Sequence, residues 1–334
     1  MLSKNKQRPT HNPELQFIKN DWQGNPQNQL HQYINLDGPS EKSFKELIRW
    51  QRETNPYKAM RKKQQSNVQV TVNPNIIDKS KPGFVWLGHA SYLFQIGSLT
   101  CITDPLLYKL GPMKRYTALP CHVSDLTNID LILLSHNHRD HCDQKSMQQL
   151  CKQNPHAVIY TGLEIAALLR KWKITNPIVE AGWYQQYPSI DGVTITYLPA
   201  RHWNRRGLTD LNEMLWGSFM LCYQQQQIYF GADSGLGQHF EEIGQLFPNI
   251  NQAFLGVGAF EPKWFMYPAH TGPEDALVAF QRLGARQLIP MHFGTFDLSD
   301  EPVFYPRTLL KQLAAEQELN GILHADIGVL YPWN

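Results

Sequence analysis

Hydrophobic positions follow two different periods along most of this chain. After Gly83, apolar and polar residues alternate with glycines at the turns in GFVWLGHASYLFQIGSLTCITDPLL, which predicts a meander of strands. Further on, short apolar runs that predict strands are separated by segments of helical period. The strand segments are IDLILLS, AVIYTG, VTITYLPA, SFMLCY, QIYFGAD, AFLGVG and RQLIPMHF, and the helical segments are QKSMQQLCKQ, LEIAALLRKW, HFEEIGQLF, GPEDALVAFQRLG and YPRTLLKQLAAEQEL. Strands and helices that interleave in this way predict an α/β fold.

The first 75 residues lack this pattern. They are polar and rich in Asn, Gln and Pro, with one amphipathic stretch in which Phe44, Leu47 and Ile48 share a helical face. We therefore expect an N-terminal extension with one amphipathic helix over residues 1–75, followed by the main domain over residues 76–334. The helix is followed by a basic run of Lys58, Arg61, Lys62 and Lys63. Such a run is typical of a solvated tail, or of a segment that approaches an anionic lipid surface.

Composition narrows the class of protein. Of the 334 residues, 42% are hydrophobic, which is enough for a buried core and excludes a disordered or fibrous chain. The formal charge of +2 argues against a broad electrostatic footprint for nucleic acid. The chain starts without the apolar segment of a signal peptide, and its five cysteines include no CxxC pair. These features predict a cytoplasmic protein without a disulfide framework.

The strongest chemical signal is the segment SHNHRDHCD, directly after the apolar strand IDLILLS. It places His136, His138, Asp140 and His141 within six positions. A loop at the end of a buried strand can direct alternate side chains to one point. H-x-H-x-D-H therefore offers two imidazoles to one metal ion, and a carboxylate with an imidazole to a second.

Three further candidate ligands each follow a predicted strand. His202 comes after VTITYLPAR, Asp233 after QIYFGA and His292 after RQLIPM. Taken singly, each could be a hydrogen-bonded polar residue or a turn residue. Together with the histidine-rich loop, they indicate ligands that converge from one edge of the sheets.

The order of these residues resembles that of the metallo-β-lactamase superfamily. The resemblance implies a four-layer αββα metallo-β-lactamase sandwich that carries a two-metal hydrolytic site. Zinc suits imidazole and carboxylate ligands, and iron or manganese would tolerate a similar set. By this resemblance one metal is held by His136, His138 and His202, the other by Asp140, His141 and His292, and both by Asp233.

Other segments are similar to the N-acyl-phosphatidylethanolamine-hydrolysing phospholipase D family. They are WLGHASYLFQIGSLTCITDPLL, PARHWNRRGL, LWGSF, GVGAFEPKWFMYPAHTGPEDA and HFGTF, and the similarity runs from about residue 80 to about residue 310. It implies a phosphodiesterase that hydrolyses N-acyl-phosphatidylethanolamine or a related phospholipid to phosphatidic acid and N-acylethanolamine, and it makes a homodimer plausible. The chain departs from the family at GADSG, where Ala232 stands for a glycine and Ser234 for a threonine of a GDTG-like string.

The resemblance also suggests residues around the metals. Asp104, at a strand end before a proline, either holds a ligand histidine in one tautomer or takes part in proton transfer. His270 either protonates the leaving oxygen or binds the phosphate. We expect His89 to lie behind the ligands, where it orients Asp104 or main chain.

Three residues are candidates for substrate binding. Arg205 and Arg206 follow His202 and could form a bidentate contact to phosphate, or lie in a solvated loop. Trp264 belongs to an apolar run between two prolines that either packs under the site or exposes a surface to acyl chains. Cys142 is not expected to act as a nucleophile, because metal binding already accounts for the adjacent histidine.

Two alternatives remain open on the sequence. One is another hydrolase of the same fold that acts on soluble phosphorylated lactones or phosphodiesters. The other is a catalytically silent, metal-stabilised membrane-docking protein, against which the seven intact ligands argue. For the first hypothesis the partners would be a phospholipid substrate and, peripherally, the inner membrane surface, with no nucleic acid.

Overall fold

The computed structural model describes residues 7–333, in which fourteen strands form two sheets of seven. The same residues contain eight α-helices. In chain order the helices are α1 Phe44–Arg52, α2 Lys58–Lys63, α3 Gln144–Gln153, α4 Ile165–Lys171, α5 His239–Leu246, α6 Lys263–Met266, α7 Pro273–Leu283 and α8 Tyr305–Glu316.

The first sheet has the order β1-β8-β9-β10-β11-β12-β13. Its strands are β1 Gln16–Phe17, β8 Gln185–Gln186, β9 Thr194–Leu198, β10 Ser218–Tyr223, β11 Gln226–Phe230, β12 Gln252–Gly256 and β13 Gln287–Met291. Pairing is antiparallel from β1 to β11 and parallel from β11 to β13.

The second sheet has the order β14-β2-β3-β4-β5-β6-β7. Its strands are β2 Gly83–Gly88, β3 Ser91–Ile96, β4 Leu99–Thr103, β5 Leu131–Leu134, β6 Val158–Gly162, β7 Ile178–Ala181 and β14 Leu330–Pro332. The strands from β4 to β7 are parallel, and β2, β3 and β14 pair antiparallel.

Successive residues along the strands of the second sheet are buried on its two opposite faces. Phe84 points to the first sheet, where its ring lies 5.0 Å from that of Phe254. Its neighbour Val85 belongs to a separate apolar cluster with Leu150 of α3 and Leu169 of α4. Because β5 is buried on both faces, it is apolar throughout, as parallel strands between two layers are. With α5 and α7 on the outer face of the first sheet, the predicted four-layer αββα sandwich is confirmed.

The N-terminal segment is more closely built into the domain than an extension with one helix would be. Strand β1 adds to the edge of the first sheet, and Tyr33 is fully buried in the main core. Helix α2 contains the whole basic run and is a second helix, which the sequence pattern did not reveal because only Ala59 and Met60 interrupt its basic residues. Phe44, expected on the buried face of α1, is 73% exposed.

Helix α1 begins at a capping box, in which Ser43 and Glu46 satisfy each other's main-chain N–H groups. No residue of α1 is buried, and the helix meets the domain through Trp50, whose ring lies 4.9 Å from that of Phe265 in α6. Among residues 7–333, no helix combines the length and the apolar character needed to cross a bilayer.

Candidate metal centre

All the predicted ligands lie in loops that leave the same edge of the two sheets. The loop with His136 to His141 follows β5, and His202, Asp233 and His292 follow β9, β11 and β13. Strands β9, β11 and β13 run in the same direction, because the antiparallel strand β10 stands between β9 and β11. Their carboxyl ends therefore meet at one edge.

At this edge the ligands separate into two groups. The first group is His136, His138 and His202: the Nδ1 atom of His138 lies 3.0 Å from the Nε2 atoms of both other residues. The second group is Asp140, His141 and His292. In this group Asp140 Oδ2 lies 3.5 Å from His141 Nε2 and 3.3 Å from His292 Nε2.

Asp233 stands between the two groups. Its Oδ2 atom lies 3.1 Å from His141 Nε2 and 3.8 Å from His202 Nε2, and its Oδ1 atom lies 3.2 Å from His292 Nε2. The structure thus brings together all seven residues that the sequence singles out as metal ligands, and one carboxylate faces both groups.

The donor set fits metal ions. His141 Nε2 and Asp233 Oδ1 are buried and have polar neighbours at 3.1 and 3.2 Å, but neither atom makes a hydrogen bond of acceptable angle. A buried polar atom without a hydrogen bond is costly. In the first group three imidazole nitrogens face one another, and uncharged rings cannot supply a proton to every such contact. A cation among these atoms would satisfy them at once.

The outer ring nitrogens of His136, His141 and His202 are held by buried hydrogen bonds. His141 Nδ1 donates to Asp104 Oδ2 (2.8 Å), and the Ser135 hydroxyl donates to the same oxygen (2.6 Å). The Ser135 oxygen is then free to accept from His136 Nδ1 (2.9 Å). On the other side, His202 Nδ1 donates to the carbonyl of Ala269 (2.9 Å). These bonds fix each tautomer so that Nε2 points to the centre.

Asp104 is fully buried behind His141. Of the two roles that the sequence allows, this geometry supports holding His141 and offers no path for proton transfer to a substrate. Sequence reasoning missed Ser135, whose position next to His136 was the only available signal.

His89 lies beside the second group, with a different partner from the one expected. Its Nε2 atom is 3.1 Å from Asp140 Oδ2, and its ring lies 4.1 Å from that of His292. The expectation that it orients Asp104 or main chain is corrected: with a φ of 56°, its backbone turns the ring to Asp140. His89 offers a further nitrogen within 4.8 Å of the atoms of the second group.

His270 borders the centre from the more open side. Its Nδ1 atom is 3.7 Å from Asp233 Oδ2, and its side chain is 17% exposed whereas those of His141 and His202 are fully buried. Burial lowers the pKa of His270 to about 4, so the imidazole is uncharged at neutral pH. It also lines a cavity of about 260 Å³ together with Phe260, Tyr267 and residues of α7 and α8.

The predicted arginines make contacts other than those expected. The guanidinium of Arg206 donates to the carbonyls of Asn137 and Cys142 (2.8 Å each), so it fastens the histidine loop. Arg205 is exposed and donates to the carbonyl of Gly207 within its own loop. Both guanidiniums are bonded to main-chain carbonyls rather than arranged as a phosphate clamp, and Arg205 lies in an exposed loop, which was the other possibility for this segment.

Trp264 packs away from the metal centre. Its ring lies 3.9 Å from the guanidinium of Arg49, and its Nε1 atom donates to Glu53 Oε2 (2.9 Å). The segment predicted as a loop is helix α6, and Trp264 uses that helix to contact α1. Acyl-chain binding by Trp264 is therefore replaced by a contact between two helices.

Electrostatics distinguish the carboxylates from ordinary surface acids. Burial alone would raise the pKa of Asp233, but His141 and His292 hold it well below its usual value. The pKa of Asp140 is likewise low, because His141, His292 and His89 outweigh its burial. In contrast, burial raises the pKa of the Cys142 thiol to about 12, which agrees with its exclusion as a nucleophile.

Four residues at the centre have strained backbone conformations. His89, Asp104, Ala232 and His292 all have left-handed φ angles, of 56°, 33°, 49° and 63°. Residues other than glycine adopt this region at a cost, and such residues cluster at functional sites. Ala232 therefore keeps the backbone shape for which the glycine of a GDTG-like string is suited.

Comparison with known proteins agrees with this geometry. Residues 100–293 match the family described as the beta-lactamase superfamily domain. The chain is 31% identical over 249 residues to N-acyl-phosphatidylethanolamine-hydrolyzing phospholipase D 1 of Caenorhabditis elegans, covering 70% of each protein. It is 32% identical over 245 residues to the mitochondrial N-acyl-phosphatidylethanolamine-hydrolyzing phospholipase D of Saccharomyces cerevisiae, covering 69% of this chain and 51% of that protein.

A solved structure supports the fold alone. Isothiocyanate hydrolase from Delia radicum gut bacteria superposes with a TM-score of 0.60 at 21% identity, over 75% of this chain and 99% of that one.

Proposed function

Since the chain belongs to the metallo-β-lactamase superfamily and is an N-acyl-phosphatidylethanolamine-hydrolysing phospholipase D-like protein, we propose that it is a zinc-dependent phosphodiesterase of phospholipids. The proposed reaction converts N-acyl-phosphatidylethanolamine, or a related phospholipid, to phosphatidic acid and N-acylethanolamine. The observation that carries the proposal is the convergence of two ligand groups on Asp233, in a chain that is similar to two proteins named for this activity.

The two groups would each hold one ion, and Asp233 would contact both. Metal ions held there would supply Lewis acidity and would activate water for attack near neutral pH. The chain's own residues set the geometry: Asp104 holds His141, Ser135 holds His136 and the Ala269 carbonyl holds His202.

We assign His270 to phosphate binding rather than to protonation of the leaving oxygen. Its pKa of about 4 leaves the ring uncharged at neutral pH, which makes it a poor acid but a good hydrogen-bond donor. Its partial exposure next to Asp233 lets it reach a phosphoryl oxygen.

The cavity beside His270 is the proposed place for the end of the leaving group. At about 260 Å³ it is smaller than ordinary ligand pockets of roughly 300–1,000 Å³, so it fits part of a phospholipid only. Phe260, Tyr267, Leu309 and Leu313 give it an apolar wall. Leu313→Trp should therefore raise KM for a phospholipid and leave KM for bis(p-nitrophenyl) phosphate unchanged.

Peripheral membrane contact is proposed through helix α2. Arg61 is occupied by the Asp297 carboxylate, which leaves Lys58, Lys62 and Lys63 exposed beside Met60. Each lysine near an anionic surface contributes about 1 kcal/mol. Lys62→Ala should weaken sedimentation with anionic vesicles and leave turnover of a soluble diester unchanged.

The decisive experiment compares purified protein, with and without chelator, on a panel of phospholipids and on bis(p-nitrophenyl) phosphate. Metal-dependent release of phosphatidic acid supports the proposal, and metal analysis of the same sample distinguishes zinc from iron and manganese. Activity on soluble esters alone would favour the alternative hydrolase. Bound metal without turnover of any substrate would favour the silent docking protein.

A further inference from the structure

A buried asparagine of the N-terminal segment holds the main chain of one predicted ligand. The Asn35 side chain donates from Nδ2 to the carbonyl of His202 (2.7 Å) and accepts at Oδ1 from the N–H of His202 (3.0 Å). The same amide donates to Ser40 Oγ (3.0 Å) and accepts from Trp216 Nε1 (3.2 Å). An amide has two N–H donors and an oxygen with two lone pairs, so its capacity is filled in one orientation.

His202 depends on this contact because it lies beyond the end of its strand. Arg201, one residue earlier, forms an isolated β-bridge to Gly235, and its N–H donates to Ser234 Oγ (2.9 Å) rather than to a neighbouring strand. At His202 the Asn35 amide takes the place of a neighbouring strand and pairs with both main-chain groups. The ring is fixed separately, by the Ala269 carbonyl.

The segment that carries Asn35 is itself anchored. Tyr33 is fully buried, its N–H donates to the carbonyl of Asn212 (2.9 Å) and its hydroxyl donates to the carbonyl of Pro9 (2.7 Å). Asn35 is 8% exposed. The amide is therefore presented to His202 by a fixed stretch of chain.

We propose that the N-terminal segment completes the metal centre, with Asn35 as a positioning residue that acts through His202. It keeps His202 Nε2 in place for the ion shared with His136 and His138. The proposal rests on metal binding by the first group, as in the proposed function, and does not depend on the substrate. Asn35 lies outside residues 100–293, the part that matches the family domain.

Removal of the amide leaves the N–H and carbonyl of His202 buried without partners. The loop would shift to reach water, and the ligand atom would shift with it. Loss of a residue that orients a metal ligand commonly weakens metal affinity by about 10- to 100-fold. We expect this range for Asn35→Ala.

The test compares Asn35→Ala with Asn25→Ala in the full chain. Asn25 comes from the same segment, is 2% exposed, and accepts from the N–H of Trp183 (3.0 Å), which is not a ligand. Cobalt(II) is the probe, with affinity measured by competition with a chelator and ligand geometry by visible absorption. We expect one of the cobalt ions to bind 10- to 100-fold more weakly to Asn35→Ala, with altered absorption bands, and Asn25→Ala to bind as the wild type does.

A second variant keeps the test decisive if Asn35→Ala does not fold. Asn35→Asp has the same shape and can still accept from His202 N–H, but it places an oxygen against the His202 carbonyl. We expect it to weaken cobalt binding as well. Wild-type cobalt affinity and spectra in the folded Asn35 variants would overturn the proposal, whereas a wild-type protein that binds no metal would overturn the proposed function instead.

Discussion

The two ligand groups place the same kind of side chain in opposite electrostatic settings. In the first group, burial among other imidazoles lowers the pKa of His136 and His202 well below its usual value, and that of His138 to about 4. In the second group burial also acts to lower the pKa of the histidines, but Asp233 and other carboxylates have the larger, opposite effect. They raise the pKa of His141, and that of His292 to about 9. The first group therefore presents uncharged nitrogens at neutral pH, and the second presents nitrogens that carry protons.

This difference teaches that one cluster of histidines need not bind two ions in the same way. An ion entering the first group meets little competition from protons, whereas an ion entering the second must displace them. The carboxylates that raise the pKa values in the second group would also attract the ion once those protons leave.

The largest expected effect comes from removal of one ligand in each group. His138→Ala and His292→Ala should each lower turnover by at least about 10³-fold, since stabilisation by each ion is worth several kcal/mol. Both variants should contain less metal by elemental analysis. Lys62→Ala is the control, because it lies on α2 and should retain full turnover on a soluble diester. Unchanged turnover in His138→Ala would remove the metal mechanism.

The next effect tests whether Asp104 and Ser135 support different ligand groups. Asp104→Asn should weaken binding in the second group by about 10- to 100-fold, because the carboxylate that fixes His141 is lost. Ser135→Ala removes the acceptor of His136 Nδ1 and one donor to Asp104, but it leaves His141 Nδ1 bonded to Asp104, so it should weaken binding mainly in the first group. Calorimetric titration of the metal-free proteins measures both affinities. If the two variants weaken the same ion, the separation into two groups is wrong.

A smaller effect concerns pH. Below pH 9 the His292 ring is increasingly protonated in the metal-free protein, so affinity for the ion of the second group should fall as pH is lowered from 9 towards 6. Affinity in the first group should stay nearly constant there, because His138 titrates at about 4. Titrations in buffers of different ionisation enthalpy would show proton release for one ion. Equal proton release for both ions would contradict the comparison.

The smallest effect concerns the backbone that precedes the shared carboxylate of Asp233. Ala232 precedes Asp233 with a φ of 49°, so Ala232→Gly should relieve strain and stabilise folding by roughly 0.5–1 kcal/mol, with turnover retained. Ala253→Gly in β12 is the matched control and should destabilise by a similar amount. Thermal unfolding measures both changes. A destabilised Ala232→Gly would show that this backbone carries no strain.

Much of the centre could be predicted from the sequence, because its ligands follow strands whose carboxyl ends meet at one edge. His136 and His292 are 156 positions apart in the chain, yet each comes within two residues of the end of a buried apolar strand. The strand pattern and the histidine loop together were sufficient to predict where these side chains meet.

What the sequence could not predict depends on contacts without a local pattern. Asn35 reaches His202 across 167 positions from a segment rich in Asn and Gln, where no residue stands out. Arg206 is of a residue type that binds phosphate and lies close to a predicted ligand in the sequence, but its partners are main-chain carbonyls. Every residue has a carbonyl group, so the sequence does not show which one an arginine will contact. Helix α6 has four residues, too few for a helical period to be visible.

The lightly attached helix α1 has a consequence for proteolysis. With no buried residue and with Arg49 and Arg52 exposed, it should be an early site of cleavage by trypsin. The cut would fall after Asn35, and the fragment before it is kept in place by the buried Tyr33 and by strand β1. A nicked protein should therefore run as two pieces on a denaturing gel while it remains one particle, with its metals, on a native one.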